Sequence, residues 1–133
     1  MKFGYKTGAN GPAATGVRVI GCDAVPCELP RGSTVSMEMD FTTANEVTEL
    51  RATVVATALG VTAPYDLPED QANACLRLGE GSSCPLSANE DATYFMDMLV
   101  SILYPPVSLV IEVALVDQTG EVVSCFNIDA VVV

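Results

Sequence analysis

Five cysteines are the side chains whose type and spacing most suggest covalent chemistry in this chain. Cys22 and Cys27 frame a short loop containing Pro26, Cys75 and Cys84 frame a Gly/Ser-rich one, and Cys125 stands alone near the C-terminus. Close thiol pairs at turns suit a small secreted domain stapled at its loops. Zinc is the competing use of such thiols. Spacings of four and eight residues in pairs set far apart match no common zinc pattern, so no metal is expected. The chain has no histidine, which removes the commonest general base, the Ser-His-Asp and Cys-His arrangements, and imidazole metal ligands together. Glu69-Asp70 and Glu90-Asp91 are carboxylate pairs, but neither lies in a D-x-D-x-D-G loop and both sit in turn-like, solvated sequence. Gly79-x-Gly81 lacks the strand, third glycine and helix of a dinucleotide site. No catalytic residue and no cofactor are expected, and the chain is not read as an enzyme.

The remaining bounds are physical. At 133 residues, half of them hydrophobic, one domain spanning 1–133 can bury a substantial core. No apolar run reaches the roughly 18 residues of a membrane-spanning helix. The formal charge of −11, with no cluster of Lys or Arg, argues against nucleic acid and against electrostatic docking on anionic membranes. The N-terminus shows no apolar signal region. The expectation is therefore a mature secreted or lysosomal-lumen protein in which Met1 is an added initiator.

The elements that must position any site read as strands. Residues 1–16 are Gly/Ala/Asn-rich and expected to be loosely ordered. Val17 to Ile20 forms a short strand running into the first cysteine loop. Ser33 to Phe41 alternates, with Val35, Met37, Met39 and Phe41 on one face and Ser36, Glu38 and Asp40 on the other. Leu50 to Leu59 repeats that pattern with small residues inside. Alanine admits a helix there, but the strict alternation around Thr53-Val54-Val55 favours a strand. Residues 60–91 read as a long irregular stretch. Thr93 to Tyr104 reads as a strand ended by Pro105-Pro106, and Leu109–Asp117 with Val122–Val133 as a hairpin. Strands at short intervals without helical periodicity predict an all-β, immunoglobulin-like sandwich of two antiparallel sheets.

With catalysis set aside, binding by apolar residues remains. The methionines at 37, 39, 96 and 98 are either ordinary core or an adaptable lining for an apolar ligand. The inward row Ala52, Ala56 and Ala58 either lets the sheets approach closely or leaves space unfilled between them. Tyr65 and Tyr104 stand at strand ends, where a sandwich would open.

These residues carry a resemblance. Gly21-Cys22-x-x-x-x-Cys27-x-Leu29-x-Arg31-Gly32 precedes an alternating strand ending Asp40-Phe41-Thr42. Gly60-Val61-x-x-Pro64, Cys75, Ser83-Cys84-Pro85-Leu86, Tyr104-Pro105 and Ser124-Cys125-Phe126 follow in order. The chain resembles the ML lipid-recognition family over nearly its whole length, and most of all its Niemann-Pick type C-2 (epididymal secretory protein) branch. That branch is related to mite group 2 allergens and to arthropod lipid or semiochemical carriers. The resemblance implies sheets that splay around an apolar pocket, and disulfides Cys22–Cys27 and Cys75–Cys84. The family's third bridge would join Cys125 to an N-terminal cysteine, but this chain has Thr7-Gly8 there, so Cys125 is expected to be a free thiol.

Sterol-binding members of the family read Pro-Phe-Pro-Ile-Pro at the pocket mouth, where this chain has Pro64-Tyr65-Asp66-Leu67-Pro68. Carried across position by position, Tyr65, Val100 and Tyr104 become ligand contacts, with the tyrosine hydroxyls orienting a polar head group. Strand phase adds Val54, Ala56, Met96 and Met98 to the lining. The implied function is a secreted, monomeric carrier that transfers or presents a sterol, fatty acid or other small apolar ligand, with a protein acceptor as one route of transfer. The alternative is an extracellular protein-interaction sandwich with a filled core and no lipid cargo.

Overall fold

The computed structural model describes residues 6–7, 11–79 and 81–133. The strands are β1 (Lys6–Thr7), β2 (Gly16–Val19), β3 (Cys27–Leu29), β4 (Thr34–Thr42), β5 (Leu50–Ala58) and β6 (Val61–Tyr65), followed by β7 (Asp91–Leu99), β8 (Ser108–Asp117) and β9 (Val122–Val132). One short helix, α1 (Glu69–Ala72), and a 3-10 turn at Ala74–Arg77 lie between β6 and β7. The larger sheet runs β1-β9-β8-β5-β6 with β3 added alongside β9, and the smaller runs β2-β4-β7. The pairs are antiparallel except β3 with β9, which run parallel.

Alternation explains why these segments pair as they do. In β4, Val35, Met37, Met39 and Phe41 are buried, and across the sheet they meet Met98, Met96, Tyr94 and Ala92 of β7. The opposite face is polar and internally paired. Arg18 of β2 donates its Nε to Glu38 at 2.7 Å and its two terminal nitrogens to Asp40 at 2.8 Å each, and Thr93 donates to Asp40 at 2.6 Å. The guanidinium holds the Asp40 carboxyl below the usual carboxylate range. A few positions away Ser36 and Arg77 both donate to Asp97, which lowers its pKa in the same way.

The closed end of the sandwich is filled by Phe41, Val47, Leu86, Leu115 and Phe126, each at most 1 % exposed. Removing that apolar area from water is the main drive for the two sheets to meet. The disulfides Cys22–Cys27 and Cys75–Cys84 are both formed and Cys125 is a buried free cysteine. The segment expected to be loose is partly tied down. Cys125 donates its amide to Pro12 and accepts from Ala14, Thr15 donates to Asp40, and Thr7 pairs with Phe126 beside Cys125. Residues 1–5 and 8–10 of that segment lie outside the described residues.

Three expectations are corrected. The strand expected to run from Thr93 to Tyr104 spans Asp91–Leu99 instead, and the chain turns away before the prolines, leaving Ile102 and Leu103 exposed. Residues 60–91 are not wholly irregular, because β6 pairs with β5 along its length. Pro64 fits there because β6 is an edge strand, where a missing amide donor costs no ladder bond. The sheets are not purely antiparallel, because β3 joins the larger one parallel to β9.

Candidate functional site

The sheets part at one end. The inward row of β5 is buried at Leu50, Ala52 and Val54, but Ala56 and Ala58 are only half-buried. The β5–β6 register sets Ala56 across from Ala63, and on its other side Ala56 meets Ile111 of β8. Three strands thus converge with two methyl groups where larger side chains would close the gap. The result is a cleft of about 320 Å³ with an almost wholly apolar lining. That volume lies at the lower end of the range for small-molecule sites.

The wall formed by β5 and β8 contributes Val54, Ala56, Ala58, Leu109 and Ile111. The opposite wall is the end of β7 and the turn beyond it, through Met98, Leu99 and Val100. Tyr65, Tyr104, Pro105 and Val107 complete the rim, and Leu29 closes the side near β3. Of the residues expected in the lining, Val54, Ala56, Tyr65, Met98, Val100 and Tyr104 are brought together here. Met96 is not among them. It faces inward, 2 % exposed, and pairs with Met37 across the β4–β7 ladder, outside the cleft lining. Tyr104 is 39 % exposed on the rim, because it follows a turn and not a strand. Leu109 and Ile111 were accessible from the alternation of β8, whereas nothing in the sequence around Leu29 signals its place in the cleft.

Tyr65 has a role other than the one expected. Its hydroxyl donates to the Leu99 carbonyl at 2.9 Å and accepts from the Leu99 amide at 3.1 Å, so its one donor hydrogen is committed to the backbone. Burial, together with the neighbouring Tyr104, raises its pKa above the ordinary tyrosine value. Asp66 next to it is exposed, away from the apolar lining. Around the mouth the surface is apolar. Leu59 and Val61 flank the β5–β6 turn at 90 % and 66 % exposure, and Leu103 beside Tyr104 is 87 % exposed.

Two larger depressions are less suited to a hydrophobic guest. One, of about 470 Å³, is lined by Thr48, Glu49, Arg51 and Gln118, and the other, of about 520 Å³, by Thr15, Asp40, Asp91 and Thr93. Their polar groups largely satisfy one another. Gln118 accepts from the Thr48 amide, and Asp91 accepts from Thr42. Among the described residues no group of three or more His, Cys, Asp or Glu side chains is arranged to hold a metal ion.

A two-sheet sandwich stapled by loop disulfides and opened at one end into an apolar cleft defines a class of ligand-enclosing β-domains. The chain belongs to the ML domain family, whose family model matches residues 8–132. It is 35 % identical over 129 residues to NPC intracellular cholesterol transporter 2 homolog a of Drosophila melanogaster, a match covering 96 % of this chain and 82 % of that one. It is 28 % identical over 112 residues to NPC intracellular cholesterol transporter 2 of Bos taurus, covering 84 % and 72 %. Among solved structures, a Niemann-Pick type C2 protein from the Japanese carpenter ant superposes with a TM-score of 0.85 at 22 % identity, over 98 % of this chain and all of that one. Chicken MD-1 complexed with lipid IVa superposes at 0.53 with 18 % identity, over 92 % and 83 %. At these identities the structural likeness shows the shared fold.

Proposed function

We propose that the protein is a non-enzymatic carrier that takes a small apolar ligand out of water by enclosing it between its two sheets, and releases it to a membrane or protein acceptor. The observation that carries this reading is the apolar cleft of about 320 Å³ at the splayed end of the sandwich. A protein-interaction sandwich would have no reason to leave that space, since a filled core is more stable. Affinity would come mainly from buried apolar area, at about 25 cal/mol per Å² before ordering costs. The relatives named as cholesterol transporters, and the MD-1 structure holding a lipid, support a lipid cargo. The two disulfides suit a secreted or lumenal, oxidising compartment.

The direct test is to purify the protein, extract it with organic solvent and identify what co-purifies by mass spectrometry, then measure displacement of a fluorescent lipid probe. A stoichiometric lipid, or saturable probe binding competed by one, is the expected result. No lipid and no saturable binding by any sterol or fatty acid probe would refute the carrier reading.

A further inference from the structure

The smaller sheet ends in β7, an outer strand whose outward amides and carbonyls have no partner strand. Such an edge must be satisfied by other groups. Down most of its length the segment after β6 does this. The Gly79 amide donates to the Thr93 carbonyl at 2.9 Å, Arg77 donates to the Phe95 carbonyl at 3.1 Å, and Gln71 accepts the Asp97 amide at 2.7 Å. The last position, Leu99, is satisfied differently. Both its carbonyl and its amide are bonded by one hydroxyl, that of Tyr65. Tyr65 belongs to β6, at the edge of the other sheet. Tyr65 and Leu99 both line the cleft, so this pair of bonds runs from one sheet to the other at the mouth itself.

We propose that the Tyr65 hydroxyl is the latch of the cleft, and that it makes the site selective for slim, flexible, single-chain apolar ligands over rigid fused-ring ones. This rests on the carrier reading and names the ligand class for that same site. A flexible chain can adapt its shape to a space of about 320 Å³, and Met98 on its wall can shift rotamer to accommodate it. A rigid fused-ring body cannot change shape, so its admission requires the two sheets to separate at the rim. Separation there breaks both bonds to Leu99 and exchanges them for bonds to water, at the net cost of about one hydrogen bond. A guest that threads past the rim sacrifices neither. Tyr65 is thus a specificity-determining residue acting through the geometry of the mouth, not a head-group ligand.

The test compares the parent protein with Tyr65→Phe, which keeps the ring and deletes the hydroxyl, and with Tyr94→Phe. Tyr94 also loses a hydroxyl bond in its variant, to the Gln71 carbonyl at 2.8 Å, but lies outside the cleft lining, so it controls for general softening. The probes are cis-parinaric acid as the single chain and dehydroergosterol as the fused-ring sterol, followed by stopped-flow fluorescence, with amide hydrogen exchange read at Leu99. The parent is expected to bind the fatty acid and to bind the sterol weakly. Tyr65→Phe should leave fatty acid association, dissociation and Kd close to parental, because the single chain passes the rim without breaking the bonds, and should tighten sterol binding about tenfold, the size of effect that losing one net hydrogen bond implies. It should also accelerate Leu99 exchange, while Tyr94→Phe changes neither sterol affinity nor that exchange. A parent that binds sterol as tightly as fatty acid, or a Tyr65→Phe variant with parental sterol affinity, overturns the latch. If neither probe binds any of the three proteins, the carrier reading falls and the selectivity with it. In that case Leu99 exchange that is slow only when the Tyr65 hydroxyl is present would still show the bonds as structural.

Discussion

Replacing Ala56 with phenylalanine should abolish ligand binding while leaving the fold intact. Ala56 lies at the centre of the cleft wall, between Ala63 and Ile111. A benzene ring fits a cavity of about 150 Å³, so a phenyl group at this position would take roughly half of the 320 Å³ present. Expelling even four methylenes of an alkyl guest costs about 3 kcal/mol at ~0.8 kcal/mol each, a loss of roughly two hundredfold in affinity. Stability has two opposing contributions. Burial of the new ring gains about 1.5–3 kcal/mol, and imperfect fit costs about 1–3 kcal/mol. The net change should be small, a few degrees in melting temperature at most. The assay is a fluorescent fatty acid titration beside a thermal melt. A stable variant that binds the probe as tightly as the parent would show that the ligand sits elsewhere. A loss of several kcal/mol would show that the space beside Ala56 is already filled.

Other outcomes follow from the same structure. Under denaturing, non-reducing conditions each chain should present one titratable thiol, Cys125, and that thiol should react slowly in the native protein because its side chain is buried; zero thiols or more than one would overturn the disulfide assignment. Leu59→Asn should raise the melting temperature by a few degrees, about 1 kcal/mol, because Leu59 (φ 53°) and Gly60 (φ 77°) occupy the left-handed conformations of a two-residue hairpin turn, which asparagine tolerates better. Asp40 and Asp97 are held below their ordinary pKa of 3.8, so the stability they contribute is complete above that value and lost as pH falls through the lower folded-state value. Melts between about pH 6 and pH 2 should therefore show loss concentrated below about pH 4, and Asp97→Asn should reduce that acid sensitivity.

Much of this fold was legible because burial on one face imposes a period of two. Ser33–Phe41, Leu50–Leu59 and the hairpin 109–117 with 122–133 each fall within a residue or two of β4, β5, β8 and β9. The signal fails where only one condition holds. All residues of β6 are exposed except Tyr65, since the strand lines an open mouth, so no alternation marks it. β3, three residues long, is too short for a period to register. The end of β7 misled for the opposite reason. Val100, Ile102 and Tyr104 continue the phase of Tyr94, Met96 and Met98, yet the ladder stops at Leu99, and beyond it Val100 and Tyr104 line the cleft while Ile102 is exposed. The same continuity brought Met96 into the expected lining, because phase tells which face a residue occupies but not how far the sheets have parted there.

The location of the cleft follows from side-chain volume. Toward the closed end the inner faces carry Phe41, Leu86, Leu115 and Phe126, and toward the mouth β5 and β6 supply Ala56, Ala58 and Ala63. An enclosed void of 320 Å³ would cost about 8 kcal/mol at ~24 cal/mol per Å³. That is comparable with the whole stability of a domain of this size. The fold sustains the space because it opens to solvent at the rim. Valine at 56 or 63 would suit a strand better and fill part of the gap. Stability alone would therefore favour a closed sandwich, and the alanines make sense where the missing volume is supplied by a guest. An apolar ligand in the cleft would restore the packing those methyl groups leave incomplete, so binding and stability should rise together.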